Sequence, residues 1–177
     1  GLLDNKPVHD PYTTLSTLEQ KRLRSAVLGG SYAYDFSDLF AQALRKIWKQ
    51  QIEARRRRGL KTGGEFATPP NVVKSVELML DEAGNVVEVD RPPAMNKVAM
   101  LAWRLTLYTP EYRDGRDIII IANDITVMAG SFGPKEDELF DKVSKLARAE
   151  GLPRIYIAAN SGARIGLAEE VRALFKA

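Results

Sequence analysis

The sequence contains no cysteine and only one histidine, His9, among its 177 residues. Without cysteine the chain has no disulfide framework, no thiol nucleophile and no cysteine-ligated zinc site. A single histidine gives little basis for a histidine-ligated metal or for a Ser-His-Asp triad. The composition therefore argues against thiol and metal chemistry, and we expect no bound metal.

Long apolar runs are also missing. No run reaches the roughly 18 residues that a membrane-spanning helix requires. Residues 1–10 lack the basic and apolar regions of a signal peptide. We therefore expect a cytoplasmic protein with no membrane span. The hydrophobic content of 45% is enough for the core of one globular domain, or of a piece of a larger one.

Positive charge is concentrated in one place. The formal net charge is only +3, and the run Arg55–Arg58, followed by Lys61, forms a local basic excess. No aromatic residues interleave with this run, so we interpret it as a solvated, flexible loop with no nucleic-acid partner. The loop would belong to a connection over Arg55–Pro70. Binding of the run to nucleic acid or to an anionic membrane is the alternative interpretation.

Hydrophobic periodicity predicts the elements of the first part of the chain. We expect a short helix at Leu18–Ala26, a short strand at Ser31–Asp35 and a longer helix at Asp38–Gln51. An apolar stripe at helical spacing is expected to turn the longer helix towards the core. Its members are Phe36, Leu39, Phe40, Ala43, Leu44 and Ile47.

The middle of the chain has the pattern of β-strands. Val72–Leu80 and Val86–Val89 flank a segment with hairpin turn chemistry, Asp81–Asn85. Val98–Thr109 is a further strand-like segment. Asp117–Ala122 is apolar on both faces, which is typical of a central strand covered by helices.

A helix, a strand and a second helix are predicted in the last part of the chain. Pro134 suits the first turn of a helix, and acidic residues follow it, as the helix dipole favours. Gly151 ends this helix, Arg154–Ala159 forms a buried strand, and Leu167–Phe175 forms the second helix. The inward residues of the first helix are predicted to be Leu139, Phe140, Val143, Leu146 and Ala147.

Two small-residue turns, Gly130–Gly133 and Asn160–Gly166, occupy junctions next to the predicted helices. Free N–H groups at such junctions point outward, and glycine lets a ligand approach the main chain closely. Backbone amides there could hold an oxyanion without a titrating side chain. Acidic residues after Pro134 argue against an anion at the first turn, whereas Arg164 favours one at the second. For both turns, a tight connection with no ligand is the alternative.

Several segments together resemble a known family. Ala122–Thr126, Gly130–Pro134 and Pro153–Gly166 look like the carboxyltransferase domain of eukaryotic multidomain acetyl-CoA carboxylases. Ser31–Phe36 and Thr109–Arg116 fit the same family, and its fungal members look most similar. The resemblance runs from about residue 10 to the end of the chain and is weakest across residues 55–70. Bacterial carboxyltransferases of this type often carry a four-cysteine zinc ribbon, which this chain lacks.

The resemblance implies a crotonase-like α/β fold, built as a superhelix of β-β-α units. Residues 1–177 would be the N-terminal part of the carboxyltransferase domain, with an approach segment and helix over 1–30 and an incomplete crotonase-like subdomain over 31–177. This truncated subdomain would stop before a second glycine-rich oxyanion turn. We therefore expect the chain alone to be nearly inactive, because each missing donor is worth about 2.7–4 kcal/mol in the transition state.

The resemblance also implies a reaction. Members of this family are biotin-dependent ligases that transfer a carboxyl group from carboxybiotin to acetyl-CoA, giving malonyl-CoA in the first committed step of fatty acid biosynthesis. The implied partners are a biotin carboxyl carrier domain, acetyl-CoA or malonyl-CoA, and the second carboxyltransferase subdomain of a homodimer. ATP and Mg would be used by the parent protein's biotin carboxylase domain, not here.

The matching turns carry the site residues that the resemblance implies. The Ala163 N–H would be an oxyanion donor, and Gly162 would allow close approach of the substrate. The cofactor-binding residues would be Arg164, Ser131, Phe132 and Gly133. Two alternatives stay open: transfer to another acyl-CoA such as propionyl-CoA, and a non-catalytic anion-binding module.

Overall fold

The computed structural model describes Asn5 and residues 14–164. In this part of the chain a five-stranded sheet is formed by β1 (Val73–Leu80), β2 (Val86–Val89), β3 (Met100–Leu107), β4 (Arg116–Asn123) and β5 (Arg154–Ile157). The strand order is β2-β1-β3-β4-β5, and only the β4–β5 pair is parallel. The α-helices are α1 (Thr17–Val27), α2 (Phe36–Arg57) and α3 (Pro134–Ala149).

Strand β4 is buried on both faces, as its sequence predicts. Ile119 and Ile121 belong to the core cluster that α3 covers. Ile118 and Ile120 belong to the cluster on the opposite face, together with Trp103 of β3. Because both faces are covered, β4 holds its C-terminal residues in a fixed position, and the next residues of the chain begin the candidate site.

Helix α3 crosses from β4 to the parallel strand β5 and packs on one face of the sheet. Pro134 is its first residue, and the predicted inward stripe is confirmed. Leu139, Val143 and Ala147 are buried, while Phe140 and Leu146 are partly buried against the same cluster. This crossover places the N-terminus of α3 beside the loop that follows β5.

Helix α2 is longer than predicted, and part of its predicted stripe is wrong. Leu39 is 46% exposed and Ile47 is 44% exposed. The buried residues are Ala41, Leu44 and Trp48. The apolar residues of this helix lie around more of its circumference than the face that packs against the rest of the protein. Trp48 fixes the orientation because its ring is buried and its indole N–H donates to the Tyr108 carbonyl at 2.8 Å.

The arginine run is not the flexible loop that the sequence suggested. Arg55–Arg57 form the last turn of α2, where cations complement the helix dipole. The Arg55 guanidinium lies 3.7 Å from the Phe66 ring centroid, and Arg113 lies 4.4 Å from the same centroid. The aromatic partner, Phe66, follows the run within the same Arg55–Pro70 segment and does not interleave with it.

The strand predicted at Ser31–Asp35 is wrong. Ala33–Asp35 form a short 3-10 helix, in which the Asp35 N–H donates to the Tyr32 carbonyl at 2.9 Å. The alternation of Tyr32 and Tyr34 was the basis of the prediction, yet their rings pack together with centroids 5.6 Å apart. This segment does not pair with any strand of the described sheet. Its backbone hydrogen bond from Asp35 to Tyr32 is made within the segment.

Other predicted elements agree with the structure in kind and differ at their ends. The first helix and the hairpin around Asp81–Asn85 are confirmed. Strand β3 is two residues shorter than predicted at each end, and β5 stops at Ile157. The predicted burial of β5 is wrong, since Arg154 and Ile155 are exposed and its other two residues are half-buried. The predicted helix at Leu167–Phe175 lies outside the described residues. Among the helices that the structure describes, none has the length and apolar character that a membrane crossing demands.

A buried polar cluster fastens α1 to the end of β4. Asp124 is fully buried, with Lys21 Nζ at 3.1 Å and Asn96 Nδ2 at 2.8 Å from its carboxylate. Burial alone would raise the pKa of Asp124, but hydrogen bonds from Thr126 and Asn96 and the charge of Lys21 outweigh it and lower the pKa. Asp124 is therefore a charged structural anchor at neutral pH.

Candidate active site

The two small-residue turns lie side by side in the structure. Phe132 and Ala163 form an isolated parallel bridge. The Phe132 N–H donates to the Gly162 carbonyl at 2.9 Å, and the Arg164 N–H donates to the Phe132 carbonyl at 2.8 Å. All six residues that the family resemblance implied are therefore gathered next to the N-terminus of α3.

The backbone amide of Ala163 faces away from this bridge. In a parallel pair, one residue forms both hydrogen bonds, and they go to the two neighbours of the residue opposite it. Here Phe132 bonds to Gly162 and Arg164, so Ala163 between them points its N–H away from Phe132. Within residues 14–164 the Ala163 N–H has no protein acceptor, and Ala163 is exposed. Gly162 has φ +93°, and no atom lies within 4 Å of the position where a Cβ would be. Among residues 14–164, therefore, the Ala163 N–H is left available as a donor.

A buried ion pair joins the two turns. The Arg164 guanidinium lies 2.9 Å from Glu136 Oε2, with the side chains 18% and 4% exposed. Glu136 also accepts the Gly133 N–H at 3.0 Å and the Ala99 N–H at 2.8 Å. The carboxylate thereby occupies the first turn of α3, so this helix end is already neutralised by the protein, as the acidic residues after Pro134 suggested.

Ser131, Phe132 and Gly133 make internal contacts. The Ser131 hydroxyl donates to the Met128 carbonyl at 2.7 Å and accepts from Arg164 Nε at 3.2 Å. The Phe132 ring packs edge-on against Phe140 with centroids 6.1 Å apart. A Cβ at Gly133 would lie 2.6 Å from an Arg164 nitrogen. Each of these residues therefore shapes the turn from inside.

The first turn begins with three consecutive residues in the left-handed region. Met128, Ala129 and Gly130 have φ values of 46°, 53° and 67°. Such backbone is costly for residues with a side chain, by about 1–3 kcal/mol each. The Ser161 N–H donates to the Ala129 carbonyl at 3.2 Å, which ties the strained turn to the loop after β5.

Asn123 lies beneath both turns and is almost completely buried. Its side chain donates to the Gly130 carbonyl at 2.9 Å and accepts from the Tyr156 hydroxyl at 2.6 Å. Asn160 Nδ2 donates to the Tyr156 oxygen at 2.9 Å, and the Gly162 N–H donates to Asn160 Oδ1 at 2.9 Å. Hydrogen bonds therefore connect the end of β4 to the peptide that precedes Ala163.

Comparisons with known proteins agree on one family. Residues 110–177 match the carboxyl transferase domain family. Over 175 residues the chain is 45% identical to an acetyl-CoA carboxylase of Schizosaccharomyces pombe, and over 176 residues it is 43% identical to one of Saccharomyces cerevisiae. It is 40% identical over 195 aligned residues to one of Dictyostelium discoideum. The chain is homologous to eukaryotic acetyl-CoA carboxylases.

The homology predicted from the motifs is confirmed over the whole chain. The alignments to the S. pombe and S. cerevisiae enzymes cover 99% of this chain and 7% of the relative. Among solved structures, the chain is similar to the β subunit of P. aeruginosa geranyl-CoA carboxylase, with a TM-score of 0.39 and 13% identity. That comparison covers 93% of this chain and 29% of the other. The predicted mixed α/β class is confirmed by the helices and the five-stranded sheet of the described residues.

Four side chains of the candidate site were not predicted from the sequence. They are Asn123, Glu136, Tyr156 and Asn160. The signal for Asn123 was available, because it is the first polar side chain after the apolar run of β4. Glu136 was noticed only as a charge at a helix start. Nothing in the sequence indicated that Tyr156 and Asn160 bond to each other.

The tyrosine that joins the hydrogen bonds beneath the turns is Tyr156. Burial raises the pKa of the Tyr156 hydroxyl, although its bonds to Asn160 and Asn123 partly oppose the shift, so it stays a neutral donor at physiological pH. In residues 14–164, no group of histidine, cysteine, aspartate or glutamate side chains is arranged to hold a metal ion. The chemistry that this part of the chain offers is a positioned N–H beside a glycine.

Proposed function

We propose that this chain supplies the oxyanion-binding turn of a carboxyltransferase that converts acetyl-CoA to malonyl-CoA. The observation that carries the proposal is the exposed Ala163 N–H, directed away from the bridge to Phe132. The homology to acetyl-CoA carboxylases supports it, since the relatives carry that name. Because the chain spans 7% of their length, the substrates and partners below are proposals as well.

The Ala163 N–H would donate to the thioester oxygen of the acyl-CoA. That oxygen gains negative charge when the neighbouring carbon loses a proton, so a donor fixed in advance stabilises the transition state more than the ground state. Gly162 leaves the approach open because it has no side chain. One such donor is worth about 2.7–4 kcal/mol.

Carboxybiotin on a separate carrier domain would supply the carboxyl group and the base that takes the proton. The chain's own contribution is to bind and orient the acyl-CoA. We propose that Arg164, Ser131, Phe132 and Gly133, the predicted cofactor-binding residues, act by fixing the turn that faces the cofactor. Their polar groups are already bonded within the protein, as in the Arg164–Glu136 pair.

The remaining predictions about context stay proposals. Residues 1–30 would form an approach segment and helix, and residues 31–177 would form an incomplete crotonase-like subdomain that a second subdomain of a homodimer completes. ATP and Mg would act at a biotin carboxylase domain elsewhere. We propose a cytoplasmic location, although one relative, 42% identical over 166 residues, is named a mitochondrial acetyl-CoA carboxylase.

The function is tested by malonyl-CoA-dependent carboxylation of free biotin, which is the reverse half-reaction. We would compare the 177-residue chain with the full-length protein that carries this sequence. Activity in the full-length protein alone supports a site that needs further donors. Activity in neither contradicts the proposal, and activity in the short chain shows that residues 1–177 hold a complete site. Repeating the assay with methylmalonyl-CoA, the carboxylation product of propionyl-CoA, tests the alternative acyl-CoA.

Ala163→Pro removes the proposed donor. In the full-length protein we expect turnover to fall about 100- to 1,000-fold, with little change in the KM for the CoA ester, because the N–H acts mainly in the transition state. Ala163→Gly keeps the N–H and should lose far less turnover. Steady-state kinetics of both variants measure the difference. Near-normal turnover of Ala163→Pro would remove Ala163 from the mechanism.

A further inference from the structure

We infer that Asn123, Tyr156 and Asn160 form a positioning relay that aims the Ala163 amide. The inference rests on the proposed function, because it concerns the donor assigned there. The inference assigns none of the three side chains a contact with the substrate. Their proposed role is to transmit the position of strand β4 to the oxyanion turn through a continuous series of hydrogen bonds.

The relay starts at Asn123, which is only 2% exposed at the end of β4. Its amide donates to the Gly130 carbonyl at 2.9 Å, and this bond holds the left-handed turn Met128–Gly130. Its oxygen accepts from the Tyr156 hydroxyl at 2.6 Å and from Asn160 Nδ2 at 3.2 Å. One rigid residue therefore contacts both turns of the candidate site.

Tyr156 and Asn160 carry the connection across the loop after β5. The Tyr156 hydroxyl uses its proton on Asn123 and its oxygen to accept from Asn160 at 2.9 Å. The side-chain nitrogen of Asn160 donates to Tyr156 and to Asn123, which leaves its oxygen free to accept from another residue. Asn160 Oδ1 accepts the Gly162 N–H at 2.9 Å. This last bond orients the Ser161–Gly162 peptide, and the next peptide, which carries the Ala163 N–H, is held by the bond from the Phe132 N–H to the Gly162 carbonyl.

The backbone around the relay leaves little room for another arrangement. A Cβ at Gly130 would lie 2.3 Å from the Ala159 carbonyl oxygen, so the two turns approach each other through bare main chain. The Ser161 N–H donates to the Ala129 carbonyl at 3.2 Å on the same side. Packing therefore fixes the distance between the turns, and the relay fixes the rotation of the peptides within them.

A purely structural role for Asn123 is the competing explanation, and Asn96 provides the matched control. Asn96 is also a buried asparagine, 7% exposed, and it donates to the Val98 carbonyl at 3.0 Å and to Asp124 at 2.8 Å. It lies outside the candidate site. Asn123→Ala and Asn96→Ala should therefore lower the thermal midpoint by similar amounts, since each loses buried hydrogen bonds.

Turnover separates the two explanations. At a temperature well below both midpoints, in the full-length protein that carries this sequence, we expect Asn123→Ala to lower kcat by about 10- to 100-fold, because a donor misplaced by about 1 Å loses this much. KM for the CoA ester should change little, and Asn96→Ala should keep the kcat of the unsubstituted protein. Equal kcat for the two variants would overturn the relay.

A double variant tests whether Asn123 acts through Ala163. If it does, adding Asn123→Ala to Ala163→Pro should cause no further loss of kcat, because the donor that it aims is already gone. Additive losses would overturn the relay while leaving the proposed function intact. If Ala163→Pro alone keeps normal turnover, the proposed function fails and the relay fails with it.

A second pair of variants applies if Asn123→Ala does not fold. Tyr156→Phe removes one hydroxyl from the relay and keeps the ring contact with Phe140, where the centroids are 5.2 Å apart. Tyr34→Phe removes a hydroxyl that donates to Glu77 at 2.9 Å, outside the relay. We expect a lower kcat for Tyr156→Phe alone. Equal kcat values for these two variants would overturn the relay.

Discussion

Gly130 combines a left-handed backbone conformation with a close approach to another part of the main chain. Its φ is +67°, and its ideal Cβ position lies 2.3 Å from the Ala159 carbonyl oxygen. Gly151, which follows α3, has nearly the same φ of +66° but no atom within 4 Å of that position. The two glycines separate the effect of backbone conformation from the effect of close approach.

We expect Gly130→Ala to lower the free energy of unfolding by about 1–3 kcal/mol more than Gly151→Ala, because overpacking adds to the conformational strain. Both variants carry the left-handed strain, so their difference reports the contact with Ala159. Urea unfolding of the 177-residue chain measures it. Equal losses would mean that the two turns move apart freely, and the close approach would then have no energetic meaning.

At the scale of the elements, helix α1 depends on one buried ion pair for its attachment to β4. Lys21 reaches the fully buried carboxylate of Asp124, which also accepts hydrogen bonds from Asn96, Thr126 and Tyr32. The outer side of α1 is solvent-exposed, including Val27 at 80%. The helix therefore gains little from apolar burial, and its position is sensitive to this one contact.

Lys21→Met should lower the free energy of unfolding by about 3 kcal/mol, the lower end of the range for breaking a buried pair, because Lys21 is 17% exposed. Arg24→Met changes an exposed charge on the same helix and should have an effect within about 0.5 kcal/mol. Hydrogen exchange of the α1 amides should accelerate only in Lys21→Met. Unchanged exchange in both variants would show that α1 is held by other contacts.

Elements with strong local signals could be predicted from the sequence. Helix α3 has Pro134 at its start and a regular apolar stripe, and β4 contains the unbroken apolar run of residues 118–122. The strand at Ser31–Asp35 failed because two alternating tyrosines fit a strand and a 3-10 turn equally well. The phase of α2 depends on where Trp48 finds its acceptor, Tyr108, which is a tertiary contact.

The candidate site could be located from the sequence but not assembled. The two turns were found from glycine content and family motifs, and the structure places them together through the Phe132–Ala163 bridge. Their support comes from Asn123, Glu136 and Tyr156, which belong to three different elements. No local pattern shows that residues of three elements will meet, so the sequence marks Asn123 as a polar residue after an apolar run but does not predict its partners.

The whole molecule combines several carboxylates whose pKa is lowered in the folded state. Asp124 is the buried carboxylate, and the pKa of Glu150 is lowered by its hydrogen bonds to Arg104. A lowered folded-state pKa favours the charged form, so each such group stabilises the fold at pH values above its unfolded pKa of about 4. This stability is lost as the pH falls through the folded-state pKa.

We therefore expect the free energy of unfolding to fall as the pH is lowered below about 4, the ordinary pKa range of these carboxyls. Asp124→Asn should be less stable than the unsubstituted chain at pH 7 and should show a shallower decline, so that the two curves converge in acid. Asp137→Asn, at an exposed position of α3, is the control. Urea unfolding from pH 7 to pH 3 measures the curves. Parallel curves for Asp124→Asn and the unsubstituted chain would refute the assignment.

The parallel pairing of β4 and β5 also sets an order of assembly. The strands β1 to β4 pair antiparallel with their neighbours, whereas β5 reaches β4 only after the segment containing α3 has closed the loop between them. Loop closure of this kind delays a contact during folding, and we expect β5, a four-residue strand at the edge of the described sheet, to open before the central strands. Phe132 and Ala163 meet across this closure, so the turn proposed to bind the oxyanion forms only in molecules that have completed it. Catalytic competence would then disappear at a lower temperature than the sheet itself.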